Sequence, residues 1–187
     1  MKTWQVKELM IPISEYASVH VDANITEAIQ AIESDNKSYG EGPYRHHSIV
    51  VINDDKHVVG RLSQVDIMRA LEPRYCNIDD AHWVSQSELS REMLKNLRES
   101  FKLWEKPVEV MCKELGNIKV RDHMQEPSEG EFVSEDDTCN IACHRIVMGR
   151  HHSLLVTRDK EIIGILRSTD LFNSLYDLVV NSKCLEP

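Results

Sequence analysis

Basic residues are in short supply: 22 lysines and arginines stand against 31 aspartates and glutamates in 187 residues, a formal net charge of −9. A surface that neutralises a phosphate backbone concentrates positive charge, so nucleic acid is not an expected partner. A single nucleotide needs only a local cluster of donors and stays open. No apolar run approaches the roughly 20 residues that cross a bilayer, so no membrane partner is expected. The opening Met1-Lys-Thr-Trp-Gln leads into charged sequence without the apolar stretch of a secretory leader. The cysteines (Cys76, Cys112, Cys139, Cys143, Cys184) are odd in number and scattered. That suits a reducing compartment better than a disulfide framework. A soluble, cytoplasmic protein is the expectation. A nucleophile with its base and orienter, a glycine-rich phosphate loop and a zinc-protease motif are all missing, so an enzyme is not expected.

What is present is present twice. Val6-Lys-Glu-Leu-Met10 is echoed by Val120-Arg-Asp-His-Met124, and His46-His47-Ser48-Ile49-Val50-Val51 by His151-His152-Ser153-Leu154-Leu155-Val156. Each copy closes on a glycine with an acid six residues on, Gly60 with Asp66 and Gly164 with Asp170. A duplicated unit implies two copies of one supersecondary block packed together.

In the first copy Ser18–Val21 alternates as a short strand. Asp22–Thr26 offers turn and capping residues, and Ala28, Ile29 and Ile32 follow at helical spacing. Ser34–Tyr44 reads as loop, with Gly40-Glu-Gly42-Pro43 a weak turn signal. Ser48–Ile52 is a buried-strand run, His57–Leu62 the second arm of a hairpin, and Ser63–Leu71 a short helix whose apolar side carries Val65, Ile67, Met68 and Leu71. The second copy runs in the same order from Glu131 to Val180. The expected class is α/β (α+β): two β-α-β-β-α repeats packed face to face about a pseudo-two-fold, with a helical insert between them. The expected divisions are residues 1–72, 73–117 and 118–187. A lone unit exposes one sheet face, so the copies should form one module.

Within the insert, Leu89, Met93, Leu97, Phe101, Trp104, Val108, Met111 and Leu115 recur every three or four residues. That is an amphipathic helix, broken near Pro107. It can be a lid on the module or a surface for self-association or a partner.

Ser63-x-x-Asp66 begins a helix. As structure it is a capping box; as chemistry it puts an acid beside unsatisfied N–H groups, where a sugar's hydroxyls can be held. In the copy Arg167 replaces Ser63 while Asp170 is kept. Arginine cannot accept a hydrogen bond as a cap, so it either offers a fork of donors to phosphate or plugs its cleft by pairing with an acid.

With Ser48–Asp55 and Val58-Val-Gly60, Ser153–Asp159 and Ile162-Ile-Gly164, and two closing helices, the chain resembles a tandem pair of CBS domains, named for cystathionine β-synthase and often called a Bateman module. The resemblance covers roughly residues 5–72 and 118–182. It implies a regulatory, non-catalytic module that requires no cofactor and binds AMP, ADP or ATP, with or without magnesium, between the copies. It also implies frequent homodimers and a separate effector protein. Carried over position by position, it implies that Ser63 and Asp66 hold ribose and that Asp170 does so in the second cleft, where Arg167 departs from the usual small hydroxyl residue. It also implies that His47 and His152 reach towards phosphate, and that Ala17, Val19 and His46 frame adenine. Ser48 and Ser153 stand where an arginine is common, which lowers the expected phosphate affinity.

Adjacent histidines in a strand point oppositely, so at most one of each pair can face a cleft. No carboxylate or cysteine sits beside them at metal-ligand spacing, and no metal site is expected. Cys139, Cys143 and His144 read as core fillers. The competing function is an interaction scaffold with empty clefts that acts through the amphipathic insert.

Overall fold

The first strand among the described residues is β1 (Ile11–Pro12), two residues long, which the sequence pattern does not announce. The first copy continues as β2 (Ser18–His20), α1 (Ile25–Ser38), β3 (Ser48–Ile52), β4 (Val58–Ser63) and α2 (Gln64–Leu71). The insert supplies α3 (Arg91–Ser100) and α4 (Val108–Cys112). The second copy supplies β5 (Phe132–Ser134), α5 (Cys139–Gly149), β6 (Ser153–Arg158), β7 (Glu161–Arg167) and α6 (Ser168–Asn181). This computed structural model describes residues 4–38, 47–75, 78 and 90–181. His46, the Gly40–Pro43 stretch, Leu89, Cys76 and Cys184 lie outside the described residues. Among those described, no helix is long and apolar enough to cross a membrane.

Both copies build the same sheet. β2 runs parallel to β3 and β3 antiparallel to β4; β5, β6 and β7 repeat the pattern. The difference lies at the edges. β1 adds a fourth strand to the second copy's sheet, Ile11 opposite Ile165 and Pro12 opposite Gly164. At the equivalent edge of the first sheet, Gln125 bridges Arg61 through Arg61 N–H to the Gln125 carbonyl at 3.0 Å and Gln125 N–H to the Arg61 carbonyl at 2.8 Å.

Each copy therefore lends its leading segment to the other. Val6 is fully buried with Val133, Leu154 and Leu166 of the second copy, and Val120 with Ile25, Ile49 and Leu62 of the first. Backbone bonds fasten both exchanges: Val6 N–H to Asp137 O at 2.9 Å, and Val120 N–H to Ala23 O at 2.9 Å. A third apolar cluster, Tyr16, Val50, Leu155 and Ile165, joins the facing sheets. The copies are thus packed face to face about a pseudo-two-fold axis.

Two local readings change, and the expected break near Pro107 holds. α1 runs on through Ser34 to Ser38 instead of giving way to loop. It is capped by Asn24, whose Oδ1 accepts from Glu27 N–H at 3.0 Å while Glu27 accepts from Asn24 N–H at 2.7 Å, and its last turn carries a Glu33–Lys37 pair. In α2, Ile67 and Ala70 are buried, but Val65 and Met68 face outward, so this helix is apolar on two sides. The insert breaks before Pro107: α3 ends at Ser100, and Lys102 and Trp104 adopt φ of 55° and 58°. Pro107 instead stands at the start of α4, where its missing N–H costs nothing. Leu97, Leu103, Met111 and Leu115 are buried, while Leu94, Val108 and Val110 are exposed.

Candidate functional site

Asp66 sits at the third position of α2 and is only 3% exposed. The capping box is complete: Ser63 Oγ accepts from Asp66 N–H at 3.2 Å, and Asp66 Oδ2 accepts from Ser63 N–H at 2.8 Å and from the Ser63 hydroxyl at 2.5 Å. The other oxygen is taken from across the module, where Gln125 Nε2 donates to Oδ1 at 2.7 Å. The carboxylate thus stands where the two copies meet and already has donors on both oxygens. It is a structural group before it is anything else.

The second acid is satisfied differently. Arg167 forks onto Asp170, Nε to Oδ2 at 2.8 Å and Nη2 to Oδ1 at 2.6 Å, and its backbone N–H adds a bond at 3.3 Å. Bidentate, charge-assisted pairs of this kind are the strong ones. Both side chains are about 15% exposed (15% and 16%). Arg167 thus spends its fork of donors on the acid of its own copy.

A polar seam also joins the copies. Arg61 Nη2 donates to Glu131 Oε1, and Nη1 reaches Ser153 Oγ at 3.5 Å. His151 Nδ1 lies 3.6 Å from the same Glu131 oxygen, and Ser128 N–H donates to Oε2 at 2.9 Å. On the other side the Tyr16 hydroxyl and Ser48 Oγ share a 3.2 Å bond, and burial pushes the Tyr16 phenol above its ordinary range. Sequence reasoning missed Gln125, Arg61 and Glu131. The signal was available: aligning the repeats sets Gln125 against Ile11 and Arg61 against Ile165, a polar residue in place of an apolar one at two paired positions.

The remaining predicted residues are spread out. Exposed His47 lies 3.3 Å from Gln64 Oε1 through its Nδ1, and its carbonyl accepts from Gln64 N–H; exposed His152 accepts likewise from Ser168 N–H. Each therefore touches the start of a cleft helix through its backbone. Ala17 and Val19 are buried in the first core. Cys139 and Cys143 pack on the second core, where burial raises both thiols, but His144 is exposed on α5 and fills no core.

At the far end of α2 the chain carries a buried anion, Glu72, 1% exposed. Arg74 donates to it through Nε at 2.7 Å and Nη2 at 2.8 Å, and the Trp104 backbone N–H donates at 2.7 Å. The Trp104 ring adds Nε1–H to the Tyr75 hydroxyl at 2.9 Å. The Arg74 guanidinium, with the Trp104 N–H, holds the Glu72 carboxyl below the usual range against the opposing effect of burial. The insert is thereby latched to the helix whose other end carries Asp66.

The sequence profile of the CBS domain matches residues 6–73 and 120–177. No curated protein matches the chain. Among solved structures, it is similar to a CBS domain-containing protein of Bacillus anthracis at 15% identity and a TM-score of 0.62, covering 93% of this chain and 94% of that one. It is also similar to a conserved protein of Pyrococcus horikoshii (18% identity, 94% and 95% covered, TM-score 0.58). A third, CBSX2 solved in complex with AMP, matches at 17% identity over 94% of this chain and 98% of that one, with a TM-score of 0.56.

Proposed function

Because the chain belongs to the CBS domain family and carries the domain twice, we propose that it is a regulatory sensor module: AMP, ADP or ATP, with or without magnesium, enters between the copies, and occupancy is relayed to a separate effector protein. The observation that carries this reading is Asp66, a buried acid at a helix N-terminus held jointly by both copies. A carboxylate accepts sugar hydroxyls, and a ligand that takes Asp66 Oδ1 from Gln125 bears on the junction itself. The AMP-bound relative supports the ligand class. A relay is available through α2, which joins Asp66 to the Glu72 latch on the insert. The ligand shifts the insert by as much as it prefers one arrangement of that junction over another. The module does no chemistry of its own.

We also read the module as a homodimer. α6 presents Phe172, Leu175, Tyr176 and Val179 to solvent, and Val147 and Met148 of α5 are 72% and 71% exposed. Met68 of α2 repeats the position of Phe172, each two residues past its cleft acid. An apolar face repeated by the internal two-fold suits a second copy of the chain.

The test is calorimetric titration of the intact chain with AMP, ADP and ATP, with and without magnesium, and with S-adenosylmethionine and NAD as controls. Saturable heat with an adenine nucleotide, lost in Asp66→Asn, is the expected result. Silence with every compound removes the sensor and leaves the scaffold, favoured by one observation: both cleft acids already have internal donors.

A further inference from the structure

The two acids are held by different devices. Among the described residues, Asp66 Oδ1 is held by a single neutral donor, the amide of Gln125, reaching over from the second copy's leading segment at 2.7 Å. Gln125 is itself exposed, and its backbone is pinned to Arg61 on both sides, so the amide can swing into solvent without disturbing the edge of the sheet. Asp170 is held by two charge-assisted bonds from a guanidinium three residues away on its own copy. The position equivalent to Gln125 there is Ile11, which has nothing to donate. A hydrogen bond from a neutral amide is exchanged for one from a ligand hydroxyl at little net cost, whereas parting a bidentate ion pair leaves two charges to resolvate.

Resting on the adenosine-ligand reading above, we propose that Gln125 is the internal occupant of the first cleft. Its amide stands in for the ligand's ribose hydroxyl on Asp66 Oδ1, so a ribose hydroxyl bonds that oxygen only by displacing the amide, and the strength of the amide bond sets the affinity for a ribose-bearing ligand. Arg167 keeps the second cleft shut, so the chain takes one nucleoside ligand and not two. Gln125 is a specificity-determining residue, not part of the fold's support: the exchange of leading segments rests on Val120 and the backbone bonds at Arg61, which its side chain does not share.

The test is titration calorimetry of the full chain with AMP and with 2′,3′-dideoxy-AMP, on the unaltered protein, Gln125→Ala and Arg167→Ser, each first shown to melt cooperatively. Removing the internal donor should tighten AMP by about tenfold and leave the dideoxy compound, which has no hydroxyl for Asp66, unchanged. The unaltered chain should bind one AMP, and Arg167→Ser, which restores the serine of the first copy, should bind two. Equal AMP affinity in the unaltered chain and Gln125→Ala, weaker binding in Gln125→Ala, or equal gains for both compounds would each overturn the role of Gln125 while leaving the sensor standing. Two sites in the unaltered chain would overturn the closed second cleft. No binding by any variant would overturn the adenosine reading, and this inference with it.

Discussion

The sulfur of Met10 lies where a side chain on Gly164 would have to go: a Cβ there would stand 2.9 Å from Met10 Sδ and 2.7 Å from the Ile11 carbonyl oxygen. The same relationship recurs at the other end of the pseudo-two-fold, where a Cβ on Gly60 would meet Met124 Sδ at 2.8 Å and the Gln125 carbonyl at 3.0 Å. Methionine and glycine are repeated together because each copy's leading segment crosses the other copy's strand at its glycine. Neither glycine is there for a special backbone angle.

Gly164→Ala is expected to destabilise the chain by about 1–3 kcal/mol, the usual cost of forcing a methyl into a filled space. Met10→Ala should not rescue it, because the nearer obstacle is a backbone oxygen. Gly60→Ala should cost less and be partly relieved by Met124→Ala, since its nearest obstacle is a flexible thioether. Denaturant melts of the four single and two double variants check this; full rescue of Gly164→Ala by Met10→Ala would contradict it.

The Glu72 latch should be sensitive to acid. Its folded-state pKa is lowered, so its contribution is complete above the ordinary glutamate range and is lost as pH falls through the lowered value. Glu72→Gln should therefore cost about 1–3 kcal/mol at neutral pH, and the gap from the unaltered protein should close under acid. Hydrogen exchange should also quicken across residues 91–112 in the variant. A gap that persists unchanged to low pH would show that the charge of Glu72 is not what holds the insert.

If a second copy covers α6, charging its face should split the dimer without unfolding the chain. Phe172→Asp with Tyr176→Asp is expected to move the sedimentation coefficient from dimer to monomer with little change in melting temperature, because both side chains are more than half exposed. Leu97→Asp, by contrast, should destabilise the insert, since Leu97 is buried. A monomeric unaltered protein would remove the dimer.

Elements with strong periodic pattern were legible. Ser48–Ile52 is a strand over the expected residues because a short β-branched run followed by the turn Asn53–Lys56 favours a buried strand over a helix. The glycine-to-acid spacing located both cleft helices. α1 overran its expected end because an i,i+4 pair and packing on the core outweighed the weak helix preference of Ser34, Asp35 and Asn36. β1 was invisible because two residues carry no period, and one of them is proline; only the partner strand β7 makes it a strand.

The candidate site divides along the same line. Residue order established the duplication, the β-α-β-β-α plan and the two acids, because these depend on contacts within a few residues: a cap, a hairpin, a helical stripe. Asp170 is occupied from three residues away by Arg167, but whether Asp66 is open or occupied depends on a group far away in the chain, Gln125 across 59 positions, as Glu131 answers Arg61 across 70. Those partners are chosen by how the copies exchange their leading segments. No local preference records that exchange, which exists only once the two sheets have closed on Tyr16, Val50, Leu155 and Ile165.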